Sequence, residues 1–205
     1  MNDMAIGATY EGAGDGPSSH GLWLDGAILL HASNIVSSFN LGSGVFMDTT
    51  DAGGLWSTNV NKFENCTFNG NDRWGAEMVG GGIMNPLFHG GNMEGNTIGE
   101  VKADSVTGLE LRGVDFEGAK VITEVIQLGA CNPVLIEGCG FNYAVSSASR
   151  AFGISTCVRA RVAYNRIFGF PAGQIGYFDE NSQFCEAFGN MLEGPDRYIN
   201  NRGRM

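Results

Sequence analysis

Apolar and polar residues alternate along this chain in short blocks that return at a nearly constant step. One series runs Leu22-Trp-Leu24-Asp25, Val45-Phe-Met47-Asp48, Ala76-Glu-Met78-Val79, Gly99-Glu-Val101-Lys102, Glu124-Val-Ile126-Gln127, Arg150-Ala-Phe152-Gly153 and Ile175-Gly-Tyr177-Phe178. Alternation with a period of two over four residues predicts a strand with one buried face. A second series is the octet 63–70, repeated at 88–95, 111–118, 136–143, 162–169 and 187–194, with first positions 25, 23, 25, 26 and 25 residues apart. Its first and sixth positions are apolar in every copy, its third is Gly or Asn except at Tyr164, and its eighth is Gly except at Tyr143.

A unit of about 25 residues with two short strands cannot bury its own apolar face, so it must stack on its neighbours. The Leu-x-x-Leu-x-Leu frame of a leucine-rich repeat is missing and no segment has a helical period. The pattern therefore predicts an all-β, right-handed, single-stranded parallel β-helix. The 205 residues give roughly eight rungs, about 40 Å of length at the spacing of paired strands. Two inward columns follow: Phe68, Met93, Phe116, Phe141, Ile167, Leu192, and Thr58, Ile83, Val106, Cys131, Cys157, Ser182.

Composition narrows the function. The 12 Lys and Arg against 22 Asp and Glu leave a net charge of −10, which disfavours nucleic acid because phosphate-backbone binding draws on Lys and Arg. No apolar run reaches the ~18 residues that insert in a membrane, and Met-Asn-Asp-Met does not begin a signal peptide. A soluble product, not secreted by that route, is expected. The five cysteines, at 66, 131, 139, 157 and 185, have no metal-ligand spacing. They read as buried free thiols, with Cys131 and Cys157 stacked on adjacent rungs. No metal and no cofactor is expected.

The string Gly90-Gly-Asn-Met-Glu-Gly-Asn96, followed by Leu109-Glu-Leu-Arg-Gly-Val-Asp-Phe-Glu-Gly118, resembles the pectate-lyase-like right-handed β-helices of bacteriophage tailspikes and capsule depolymerases, and His20-Gly-Leu-Trp-Leu-Asp-Gly26 resembles their early rungs. The resemblance covers residues 20–195, leaving 1–19 as a lead-in and 196–205 as a tail. It implies a homotrimer in a virion tail, made in the host cytoplasm and acting outside it on a bacterial surface polysaccharide. Lyases, hydrolases and inert shafts share such scaffolds, so the fold does not choose among them.

Within a rung the neighbours of an inward residue point outward. Asn92 and Glu94 then flank Met93, Asp115 and Glu117 flank Phe116 one rung on, and three carboxylates converge. Glu94, Glu117 and Asp115 are the expected acid, base or nucleophile of glycosidic hydrolysis, with Asn92 as a substrate contact. The plainer reading is that a Glu in this column caps a glycine turn, as Glu193 would. On the other strand, Trp23, Phe46, Glu77 and Glu100 form one expected outward column and Asp25, Asp48, Val79 and Lys102 the next. These are a sugar platform or a trimer contact. Glu64, His89, Arg112 and Glu137 read as a surface charge ladder, with Arg112 a substrate contact or the base of a lyase. The Asn-Thr-Asp and Arg-Ile-Lys motifs of polygalacturonases are absent. Tyr143, Tyr164, Phe168, Phe170 and Tyr177 read as core or interface, with a second sugar platform as the alternative.

Overall fold

The computed structural model describes residues 5–7, 19–49, 58–118, 124–143, 150–170, 173–193 and 197–201. Their strands form three parallel sheets wound as one solenoid. Sheet I holds Leu22–Asp25, Val45–Asp48, Trp74–Val79, Gly99–Asp104, Glu124–Gly129, Arg150–Ser155, Gly173–Phe178 and Arg197–Asn201. Sheet II holds His31–Ser33, Lys62–Glu64, Leu87–His89, Leu109–Arg112, Val134–Glu137, Ala160–Ala163 and Glu186–Phe188. Sheet III holds Ala5–Gly7, Val36–Ser38, Thr67–Asn69, Asn92–Glu94, Asp115–Glu117, Gly140–Asn142, Arg166–Phe168 and Met191–Leu192. A short ladder of Thr58–Asn59 and Ile83–Met84, extended by single bridges, lies between sheets I and II.

The repeat of about 25 residues is thus one turn of a parallel β-helix. From the first to the seventh strand of sheet II the chain completes about six turns, not the eight that dividing length by repeat suggests. The difference arises because the early turns are longer than the repeat, with Ala5 paired to Val36 and Ala32 to Phe63, each 31 residues apart; the strands Ala5–Gly7 and Arg197–Asn201 extend sheets III and I at either end. Both of those strands fall outside the expected span of 20–195.

The corner from sheet II to sheet III has two residues, and its chemistry explains the Gly/Asn rule of the octet. The first corner residue is left-handed, with φ of 51° at Asn65, 65° at Gly90, 57° at Tyr164 and 63° at Gly189. At Asn65 and Tyr164 the side chain lies over the next corner. A Cβ on Gly90 would sit 2.5 Å from Asn65 Oδ1, and one on Gly189 would sit 2.6 Å from the Tyr164 ring. Glycine must follow there. The second corner residue, Ile35, Cys66, Val114, Cys139 or Asn165, turns inward and is buried.

Inside, like stacks on like. Phe68, Met93, Phe116, Phe141, Ile167 and Leu192 are register partners in succession, and Phe63 stacks on Phe88 with centroids 4.9 Å apart. The Thr58-to-Ser182 column is buried throughout, and all five cysteines are buried free thiols. Cys131 N–H donates to Cys157 Sγ at 3.3 Å, and Cys157 N–H to Ser182 Oγ at 3.2 Å. Burial pushes the Cys139 thiol up to about 12. At the corner from sheet III to sheet I, three asparagines form a buried amide chain. Asn40 Nδ2 donates to Asn71 Oδ1 and Asn71 Nδ2 to Asn96 Oδ1, each at 2.8 Å. These bonds satisfy amides that would otherwise be costly to bury.

Two alignments of sheet I differ from the reading by alternation. Val101 pairs with Ala76 and Lys102 with Glu77, so Glu100 lies two residues ahead of the Trp23 column and Asp104 takes the place given to Lys102. Tyr177 pairs with Gly153, not Phe152, because Gly176 yields its space to the Phe152 ring. That one-residue shift turns Tyr177 to the outer face.

Candidate functional site

On sheet III the expected carboxylates stand in register. Asn92 pairs with Asp115, Met93 with Phe116 and Glu94 with Glu117. Cβ atoms of such partners lie about 5 Å apart. Glu94 and Asp115 are exposed, while Asn92 and Glu117 are half-buried. The next strand offers Gly140 opposite Asp115, and a Cβ there would meet Asp115 Oδ1 at 2.6 Å. The Asp115 carboxylate therefore leans over Gly140, toward the following turn. Glu193 accepts from Gly169 N–H at 3.0 Å, the turn-capping role weighed against catalysis for this column.

Behind this patch sits a pair that alternation did not reveal. Glu100 is 0% exposed, at the sheet III to sheet I corner. Asn96 Nδ2, the end of the amide chain, donates to its Oε2, and its Oε1 has no partner among the described residues. Burial pushes the carboxyl up to about 8; the Asn96 bond opposes this and the Glu94 charge adds to it. Tyr143, 1% exposed, is raised well above the ordinary phenol value by burial and by Glu100 beside it. Glu100 is accordingly no part of an outward acceptor column. The only sequence clue was the Asn at 40, 71 and 96 leading to it.

On sheet I, Trp23, Phe46 and Glu77 are register partners as expected. His20 stacks on Phe46 with centroids 4.3 Å apart, and Trp23 meets Phe46 edge-on at 6.1 Å. Both expected platform rings are therefore half-buried in a cluster of their own. Glu77 is 1% exposed, accepting from Ser43 Oγ at 2.8 Å and meeting Arg73 at 3.1 Å and Lys102 at 3.2 Å. It is a held carboxylate, so its expected place as an outward sugar acceptor is corrected. A six-residue strand and the cations of neighbouring segments cover it. Asp25 and Asp48 are partners, exposed and half-buried.

The charge ladder of sheet II is in register from Glu64 through His89 and Arg112 to Glu137. Arg112 contacts Glu110 at 3.0 Å and Glu137 at 2.6 Å, which commits the guanidinium to structure. Of the late aromatics, Tyr143 and Phe170 are core, with centroids 5.0 Å apart; Phe168 and Tyr177 are half-buried and Tyr164 is exposed. Among the described residues, no group of three or more His, Cys, Asp and Glu side chains is placed to hold a metal ion.

No protein-family profile, no curated protein and no solved structure matches the chain. The tailspike resemblance therefore keeps its architectural content, a parallel β-helix.

Proposed function

We propose that this protein binds an extended polysaccharide of the kind found on bacterial surfaces and hydrolyses its glycosidic bonds at Glu94, Glu117 and Asp115. The in-register pairing of Glu94 with Glu117, with Asp115 one strand step away, carries the reading. Two carboxyl groups on adjacent rungs are the minimum equipment for acid and base or nucleophile roles at one bond. A polymer crossing the rungs meets both. Asn92, half-buried and in register with Asp115, stands beside the pair as a further polar contact for a sugar.

Release of reducing ends from a panel of capsule and O-antigen polysaccharides tests it. Glu117→Gln and Glu94→Gln should each cut turnover at least ~10²-fold, with the double variant little worse than either, because groups that act together are not additive. Folding stability should move by only about 0.5 kcal/mol, as for surface residues generally. Normal cleavage by the double variant ends the case for this patch.

A binding-only shaft is the second reading, favoured by the exposure of Glu94 and Asp115 and by the capping role of Glu193. Binding without release of reducing ends selects it. An elimination mechanism through Arg112 has less support, because Glu110 and Glu137 already hold that side chain.

A further inference from the structure

A trench lies on sheet I at the C-terminal turns. Two cavities of about 430 and 230 Å³ adjoin there, and Tyr177 lines both. Gly153 accounts for the trench. It stands in register between Gln127 and Tyr177, and the Tyr177 hydroxyl comes within 2.9 Å of where a Cβ on Gly153 would lie. Tyr177 thus folds back across a strand that has no side chain to lift it, and the floor stays low. Arg150 is fixed beside it, 2.9 Å from Glu124 and 5.3 Å from the Tyr177 ring centroid. Its neighbours Asn181 and Asn200 add amide groups.

The trench crosses five adjacent strands, from Gly99–Asp104 to Arg197–Asn201, or about 19 Å at the spacing of paired strands. Its shape is long, its larger cavity is lined mainly by polar groups, and Tyr177 is the aromatic residue common to both cavities. A compact apolar ligand would find little to bury there. A chain of hydroxylated rings would find ring surface on Tyr177 and hydrogen-bond partners along both sides. Charge then selects among such chains. Arg150 is answered by Glu124, and Lys102 shares Glu77 with Arg73, so that Asp104, Asp179 and Glu180 leave the lining with a net negative charge. An acidic polymer is repelled by that surplus and by the net charge of −10.

We propose that the sheet I trench centred on Tyr177 and Gly153 binds a neutral polysaccharide laid along the solenoid axis. This site is separate from the sheet III patch and does not depend on cleavage there. Affinity electrophoresis of the full chain through gels containing dextran, a galactomannan, a β-glucan or polygalacturonate tests it. At least one of the neutral polymers should retard the protein and polygalacturonate should not. Tyr177→Ala should weaken retardation about tenfold or more, as loss of a central aromatic contact does. Gln127→Ala, at an exposed position that tolerates truncation, should weaken it in the same direction, and Arg161→Ala on sheet II should leave it unchanged. Retardation by polygalacturonate alone, by none of the neutral polymers, or equally in wild type and both trench variants overturns the proposal. Retardation without release of reducing ends sustains the trench and sinks hydrolysis at sheet III, while release without retardation does the reverse.

Discussion

Glu77 and Glu100 are both buried carboxyl groups of sheet I, but their surroundings differ. Glu77 is met by a hydroxyl and two cations, the pairing that a buried charge requires. Glu100 has one amide donor and no cation among the described residues, with the Tyr143 phenol beside it, so burial keeps its proton on. The folded value, about 8, lies above the ordinary 4.5. Between those limits the folded state holds a proton that the unfolded state has lost. This group's contribution to stability is therefore complete below pH 4.5 and is lost as pH rises toward 8. Glu100→Gln keeps the shape and the Asn96 contact without titrating. The melting temperature of this variant relative to wild type should climb from pH 5 to pH 8, and a difference that stays flat across that window would contradict the assignment.

The unit of stabilisation at the scale of the element is the ladder, where one residue type answers the same need on successive turns. Asn71 shows how interdependent the members are. Its Oδ1 accepts from Asn40 N–H at 3.1 Å and from Asn40 Nδ2 at 2.8 Å, and its Nδ2 donates to Asn96 Oδ1. Asn71→Ala would strip donors and an acceptor in two neighbouring turns where water does not reach. The expected loss is about 2–4 kcal/mol, read as a lower urea midpoint at unchanged slope. An exposed asparagine in an ordinary strand conformation, such as Asn142, should cost well under 1 kcal/mol by comparison. Gly90 and Gly189 at the sheet II to sheet III corner follow the same logic in steric form, since each accommodates the side chain that the previous corner projects.

For the molecule as a whole, the solenoid leaves apolar surface along one edge. Ile28, Leu29 and Val60 are 57%, 72% and 36% exposed, and Leu29 and Val60 occupy successive turns, bonded to Asn59 and Met84. Trp23 and Phe46, read as a sugar platform or a trimer contact, are packed with His20, which moves the candidate contact to this edge. Contiguous apolar surface of this kind commonly marks association. The homotrimer we propose should scatter light as three times the 21.8 kDa chain mass at micromolar concentration. Leu29→Glu should shift that population toward the monomer. A wild-type monomer at the same concentration counts against the assembly.

The repeat, the inward columns and the pairing of Glu94 with Glu117 could all be read from residue order, for one physical reason. In a parallel helix whose rungs repeat at nearly constant length, strand alternation decides inside from outside and the corner residues mark the phase, so sequence offset becomes spatial adjacency. The same order misplaced Glu100, because a slip of two residues between long strands preserves the alternation and only the packing of Gly99 against Trp74 selects the register. It misplaced Tyr177 because the space that Phe152 takes at Gly176 is a volume effect spanning two turns. Burial of Glu77, the proton on Glu100 and the trench over Gly153 depend on side chains converging from three or more turns. Those properties belong to the wound chain, where distances across rungs rather than positions along them set solvation, charge and shape.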